Sequence, residues 1–153
     1  MRLLLTGGGT AGHVYPLLSV LEELKKKLKE ERLEILYVGS RGGIEEGILK
    51  KGGAKQDIPK IFIYSGKWRR YWKKWLPALF LNFLDLFKIL IGFFQAFFIV
   101  TRYRPEVILA KGGYVTLPIV FAAWFCKIPV ITHESDIIMG LSNKLCAKIA
   151  KKI

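Results

Sequence analysis

Cysteine and histidine are scarce in this chain, with two of each among 153 residues. Cys126 and Cys146, with His13 and His133, fall at none of the paired spacings that mark a structural or catalytic metal site. The thiols are therefore expected to be buried or reduced, and neither a metal nor an organic cofactor is expected. Acid is the second shortage. Only 12 Asp and Glu stand against 25 Lys and Arg, a net charge of +13, while 52% of residues are hydrophobic and the mean hydropathy is +0.29. A chain both apolar and basic implies an anionic partner, nucleic acid and anionic lipid being the two obvious classes. No signal-peptide pattern precedes the first apolar run, so the expected compartment is the cytosol or the cytosolic side of a membrane.

What is present begins with Gly7-Gly8-Gly9-Thr10-Ala11-Gly12-His13, directly after the run Leu3-Leu4-Leu5. This reads as a strand feeding a glycine loop that opens a helix, where backbone can approach a ligand closely and first-turn N–H groups attract phosphate. Gly7, Gly9 and Gly12 fit the spacing G-x-G-x-x-G. A dinucleotide site also wants an acid at the end of the second strand, and that strand ends Tyr37-Val38-Gly39-Ser40 without one. The Gly-Lys-Ser/Thr ending of a Walker A loop is missing too. A tight turn and a structural histidine are the plain alternatives. Three consecutive glycines with a fourth before a histidine favour a ligand loop.

Apolar runs alternate with helical patterns, which implies an α/β fold with a Rossmann-like parallel sheet flanked by helices. Strands are expected at 2–6, 33–38, 61–64, 107–110 and 129–132, and helices at 16–30, 44–51, 117–125 and 141–151. Three polar loops then leave the same sheet edge: the first glycine loop, Gly112-Gly113-Tyr114, and His133-Glu134-Ser135-Asp136. Open α/β sheets bind ligands at that edge, which makes His13 a candidate base. Helix capping or loop solvation is the alternative role for Glu134 and Asp136.

Between the third and fourth strands lies Lys67-Trp68-Arg69-Arg70-Tyr71-Trp72-Lys73-Lys74-Trp75, five cations interleaved with four aromatics. Trp and Tyr favour the headgroup level of a bilayer, and each Lys or Arg there adds about 1 kcal/mol of attraction to anionic lipid. The apolar stretch 79–100 that follows is long enough to span a bilayer. Asn82, Asp85, Lys88 and Gln95 share a stripe of it, and a charge at mid-bilayer costs at least ~2.5 kcal/mol. A long helix packed on the sheet, with its remaining faces turned to a membrane or partner, is the expectation; a buried core helix is the alternative. No nucleic-acid-binding module surrounds these aromatics, so nucleic acid is not an expected partner.

The segments Gly8–Pro16, Lys111–Pro118, His133–Asp136 and Gly140–Lys144 resemble, in order and spacing, the signatures of the MurG family of glycosyltransferases, and the resemblance runs over essentially the whole chain. It implies the N-terminal half of a two-domain GT-B fold that meets the cytoplasmic face of the bacterial membrane. It also implies an inverting, metal-free transfer of N-acetylglucosamine from UDP-N-acetylglucosamine to lipid-linked muramoyl-pentapeptide, in peptidoglycan synthesis. By this resemblance Thr10, Ala11, Gly12 and Asp136 lie toward the donor, and Gly112, Gly113, Tyr114 and Asn143 toward the acceptor. His13, then Glu134, are the candidate bases. Lys67, Trp68, Arg69, Arg70, Trp72, Lys73, Lys74 and Trp75 are expected to contact lipid. Ala11 stands where the family usually has glycine, Asp136 where many members have asparagine, and Thr116-Leu117 replaces a smaller pair. The donor-binding domain is expected to be absent from residues 1–153, with Ile153 reading as the start of a further strand. The chain is then expected to need that domain or a partner chain for turnover, and a membrane-recruiting subunit of a split enzyme is the alternative.

Overall fold

A computed structural model describes residues 1–28, 33–51, 58–66 and 75–151. Five strands form one parallel sheet: β1 (Arg2–Gly7), β2 (Glu34–Ser40), β3 (Lys60–Ile63), β4 (Val107–Gly112) and β5 (Val130–Thr132). Their spatial order is β3-β2-β1-β4-β5. The chain thus winds outward from β1 to β3, then returns to β1's other side for β4 and β5. The strand order reverses between β1 and β4, where the loops leaving their C-terminal ends open a crevice.

Helices cover both faces, as buried parallel sheets require. Alternation along β1 divides the core: Leu3 and Leu5 join Val14, Leu17, Leu18 and Leu21 of α1 (Ala11–Lys27) and Leu49 of α2 (Ile44–Lys51). Leu4 faces the other way, with Ala96, Ile99 and Val100 of α3 (Trp75–Tyr103), Ile119 and Val120 of α4 (Thr116–Phe125), and Cys146 of α5 (Leu141–Ala147). This is the period-2 geometry of a strand read on both sides. Both cysteines are free thiols; Cys146 is buried, and burial pushes its pKa up.

Some boundaries differ from the sequence reading. The first helix starts at Ala11, not Pro16, because the chain stays extended only as far as Thr10. Pro16 lies inside it, its missing N–H leaving the Gly12 carbonyl without its usual helical donor at an exposed turn. Helix α5 ends at Ala147 rather than Lys151, where the Ile149 and Ala150 N–H groups both return to the Cys146 carbonyl. The Lys151 N–H then donates to Val130 of β5. Ile153, read as a strand start, lies outside the described residues.

Helix α3 turns its polar stripe toward the segment after β3. Gln95 Oε1 accepts the Tyr64 N–H at 2.8 Å, and Asp85, buried, pairs with Lys88 at 3.1 Å. Gly92 permits this packing, since a Cβ there would stand 1.9 Å from the Tyr64 carbonyl oxygen. Another side of α3 is apolar and open: Phe94 and Phe98 are 70% and 68% exposed, and Trp124 and Phe125 of α4 are exposed as well. Phe93 meets Phe125 edge-on, joining the two helices into one aromatic face. Residues 85–103 are long and apolar enough to cross a membrane, yet Ala96, Ile99 and Val100 belong to the sheet's core.

Candidate functional site

At the switch point the first two glycine loops are built as one piece. The Gly8 N–H donates to the Gly112 carbonyl at 3.1 Å, and the Tyr37 hydroxyl donates to the Gly7 carbonyl. Gly9, at φ +83°, turns its N–H onto Glu45 Oε2 at 3.0 Å. Tyr114 lies across Gly9 so closely that a Cβ there would stand 2.9 Å from the ring, and its hydroxyl reaches Ser40 Oγ at 3.3 Å. Gly112 and Gly113 also adopt positive φ, +113° and +92°, which a side chain would strain.

These bonds change which groups face a ligand. The N–H groups of Gly8 and Gly9, expected to attract phosphate, are both engaged within the protein. Donors for an anion lie two and three residues beyond Gly9, at Ala11 and Gly12, the first residues of α1, whose N–H groups have no intrahelical partner. Thr10 caps α1 through its extended backbone, its hydroxyl making no capping bond.

His13 stands in that first turn, partly buried, with its Nδ1 atom enclosed and without a partner among the described residues. Burial, and secondarily the Lys111 ammonium, lower its pKa below the usual 6.5; Asp136, Glu134 and Glu45 act in the opposite sense. The imidazole is therefore neutral at pH 7, as a general base requires. Lys111, at the end of β4, is 1% exposed, and its Nζ donates to Ser135 Oγ at 2.7 Å.

The third loop is organised by Glu134. Its carboxylate accepts the Ser135 and Asp136 N–H groups at 2.9 and 3.1 Å, and Asn143 Nδ2 of α5 at 2.7 Å. Burial alone would raise its pKa; the bonds from Asn143 and from the Asp136, Ser135 and Gly140 N–H groups outweigh it and hold the value at about 2. A carboxylate so engaged is a weak proton acceptor, and its geometry is that of a loop organiser. Asn143 in turn packs on Gly112, where a Cβ would meet its Oδ1 at 2.5 Å.

The structure thus gathers Thr10, Ala11, Gly12, His13, Gly112, Gly113, Tyr114, Glu134, Asp136 and Asn143 at one sheet edge. Glu45, Lys111, Ser40 and Ser135 belong there too and were not singled out from sequence. The lipid-contact candidates Lys67, Trp68, Arg69, Arg70, Trp72, Lys73 and Lys74 lie outside the described residues, and Trp75 is described only as the first residue of α3. A separate concavity of about 420 Å³ lies at the opposite edge, lined by Lys25, Glu34, Pro59 and Tyr103 among others. It contains none of the glycine-loop residues, and open parallel sheets bind ligands at the other end of the strands.

The chain is similar to known proteins along nearly its whole length. Residues 3–153 match the family described as glycosyltransferase family 28 N-terminal domain. The chain is 47% identical over 152 residues to a Clostridium botulinum protein named UDP-N-acetylglucosamine--N-acetylmuramyl-(pentapeptide) pyrophosphoryl-undecaprenol N-acetylglucosamine transferase, covering 99% of this chain and 39% of that one. A Clostridium kluyveri protein of the same name is 44% identical with the same coverage. Among solved structures, Acinetobacter baumannii MurG superposes with a TM-score of 0.71 at 26% identity, over 98% of this chain and 39% of that one. UDP-GlcNAc 2-epimerase from Neisseria meningitidis shares the fold alone, at a TM-score of 0.64 and 15% identity, over 99% of this chain and 39% of that one. This chain therefore spans about two fifths of the length of the relatives it matches, and it belongs to the glycosyltransferase family 28 N-terminal domain family.

Proposed function

We propose that this chain is the acceptor-binding half of an inverting N-acetylglucosaminyltransferase that acts in peptidoglycan synthesis. The donor is UDP-N-acetylglucosamine and the acceptor a muramoyl-pentapeptide carried on undecaprenyl diphosphate. The observation that carries the reading is the convergence of His13, Tyr114 and the Glu134–Asn143 pair on the crevice between β1 and β4, in a chain closely similar to transferases of that name.

In the proposed reaction the acceptor hydroxyl oxygen bonds to the anomeric carbon of the donor sugar. The bond from that carbon to the diphosphate oxygen breaks, and UDP leaves with the electron pair. His13 takes the hydroxyl proton. The Ala11 and Gly12 N–H groups, at the positive end of α1, face the diphosphate charge. Thr10 and Asp136 flank the donor sugar, and Gly112, Gly113, Tyr114 and Asn143 line the acceptor side. Most of the nucleotide site belongs to a donor-binding half, supplied by a longer chain or by a partner.

The exposed face of Phe94, Phe98, Trp124 and Phe125 supports a peripheral seat on the cytoplasmic membrane surface. An exposed aromatic face on a basic chain matches interfacial binding. The test is transfer of labelled N-acetylglucosamine to the lipid-linked acceptor by this chain together with its donor-binding half. Turnover that requires both is expected, and no transfer by the pair would refute the reading.

A further inference from the structure

Glu45 is a carboxylate with no exposed surface, at the start of α2, and it forms no ion pair among the described residues. A buried charge is tolerated only where hydrogen bonds replace water. Here Oε2 accepts the Gly9 N–H at 3.0 Å, while Oε1 accepts the Ser40 N–H at 2.8 Å and the Ser40 hydroxyl. Three glycines make room for it. A Cβ at Gly8 would stand 2.1 Å from Oε1, at Gly43 2.5 Å from Oε2, and at Gly39 3.0 Å from Cγ. The carboxylate therefore joins the loop after β1, the end of β2 and the start of α2. Ser40 extends the connection to the Tyr114 hydroxyl at 3.3 Å.

We propose that Glu45 is a positioning residue for the transfer: its carboxylate fixes the Gly7–Gly9 loop, and so the first turn of α1 that carries His13 and the free N–H groups. This rests on the transferase reading above. Gly9 leads directly through Thr10 into α1, so a displaced Gly9 displaces the donors at Ala11 and Gly12 and the imidazole beyond them. Misplacement of reacting groups by about 1 Å lowers rates by up to about a hundredfold.

Glu45→Gln separates this role from packing, because it keeps the volume and one acceptor oxygen. With that oxygen toward Ser40, the new NH₂ faces the Gly9 N–H, donor to donor, and the loop bond alone is lost. In this chain by itself, amide exchange at Gly9 should quicken by roughly tenfold or more in E45Q, while Ile108 of β4 is unchanged. Unaltered Gly9 exchange would overturn the proposal.

In this chain combined with its donor-binding half, E45Q should lower kcat by roughly ten- to a hundredfold with little change in the donor KM. The acid limb of the rate should also move to lower pH, since one of the carboxylates that raise the His13 pKa, with Asp136 and Glu134 and against Lys111, has become neutral. Gly8→Ala should lose activity, and the shorter side chain of Gly8→Ala/Glu45→Asp should restore part of it. An unchanged kcat, or a loss with an unmoved acid limb and no rescue, would overturn the positioning role. A wild-type pair that transfers nothing would instead refute the transferase reading, and Gly9 exchange would then decide the loop bond alone.

Discussion

Gly113 lies so close to Gly8 that a Cβ on it would stand 2.1 Å from the Gly8 carbonyl oxygen. The loops after β1 and β4 therefore touch backbone to backbone, where the Gly8 N–H also donates to the Gly112 carbonyl. Gly113→Ala meets both this clash and a φ of +92°. The conformational strain alone is about 1–3 kcal/mol. A thermal midpoint lowered by roughly 2–12 °C is expected, with loss of acceptor binding. An alanine variant of wild-type stability would show that the loops separate easily.

His13 should set the acid limb of activity. Its pKa is lowered by burial and by Lys111, so the rate should be flat near pH 7 and fall only below the usual histidine range. His13→Ala should reduce kcat by about 10²–10⁴-fold while leaving the circular dichroism spectrum unchanged. Lys111→Met removes a charge that holds the imidazole neutral, and should move the acid limb to higher pH. The same shift affects stability. The unfolded histidine binds its proton at a higher pH than the folded one, so this contribution is present above about 6.5 and declines as pH falls below it. A limb that ignores both substitutions would remove His13 as the base.

Asn143→Ala tests the third loop. Glu134 titrates at about 2 when folded against an ordinary 4.5, so its bonds stabilise the fold above pH 4.5 and are lost as pH falls toward 2. Removing the Asn143 donor should cost about 1–2 kcal/mol at neutral pH. In urea titrations at several pH values, the gap between wild type and variant should close toward pH 2. A gap constant with pH would assign the loss to the packing of Asn143 on Gly112 instead.

Membrane attachment should carry both apolar and ionic signatures. Sedimentation with vesicles should rise with anionic lipid and fall with salt. Phe94→Ser and Phe98→Ser should each weaken it by roughly tenfold or more, the scale of burying one aromatic ring. Binding indifferent to lipid charge, to salt and to both rings would argue against a lipid-facing α3.

Much of this architecture is legible in the amino-acid sequence. Leu3-Leu4-Leu5 and Ile35-Leu36-Tyr37-Val38 are continuous apolar runs because both faces of a parallel strand are covered. His13, Tyr114 and Glu134 each follow a strand, and parallel strands bring such loops to one edge. Pro16 misled the placement of the first helix, since proline usually marks a first turn and here stands beyond it. The roles of Glu45, and of Lys111 at the head of the Lys111–Pro118 segment, could not be read from pattern. Their partners Gly9 and Ser135 lie 36 and 24 residues away in sequence, and only the folded chain brings them together. The place of Glu134 at this sheet edge is legible from its position after a strand, but its engagement by four donors is not.

The most direct measurement is equilibrium binding of the two substrates to this chain alone, with the lipid-linked muramoyl-pentapeptide held in lipid nanodiscs. The expected result is saturable acceptor binding, weakened by Gly113→Ala, with UDP-N-acetylglucosamine held only weakly until the donor-binding half is added. Tight UDP-N-acetylglucosamine binding without the acceptor would contradict an acceptor-binding half.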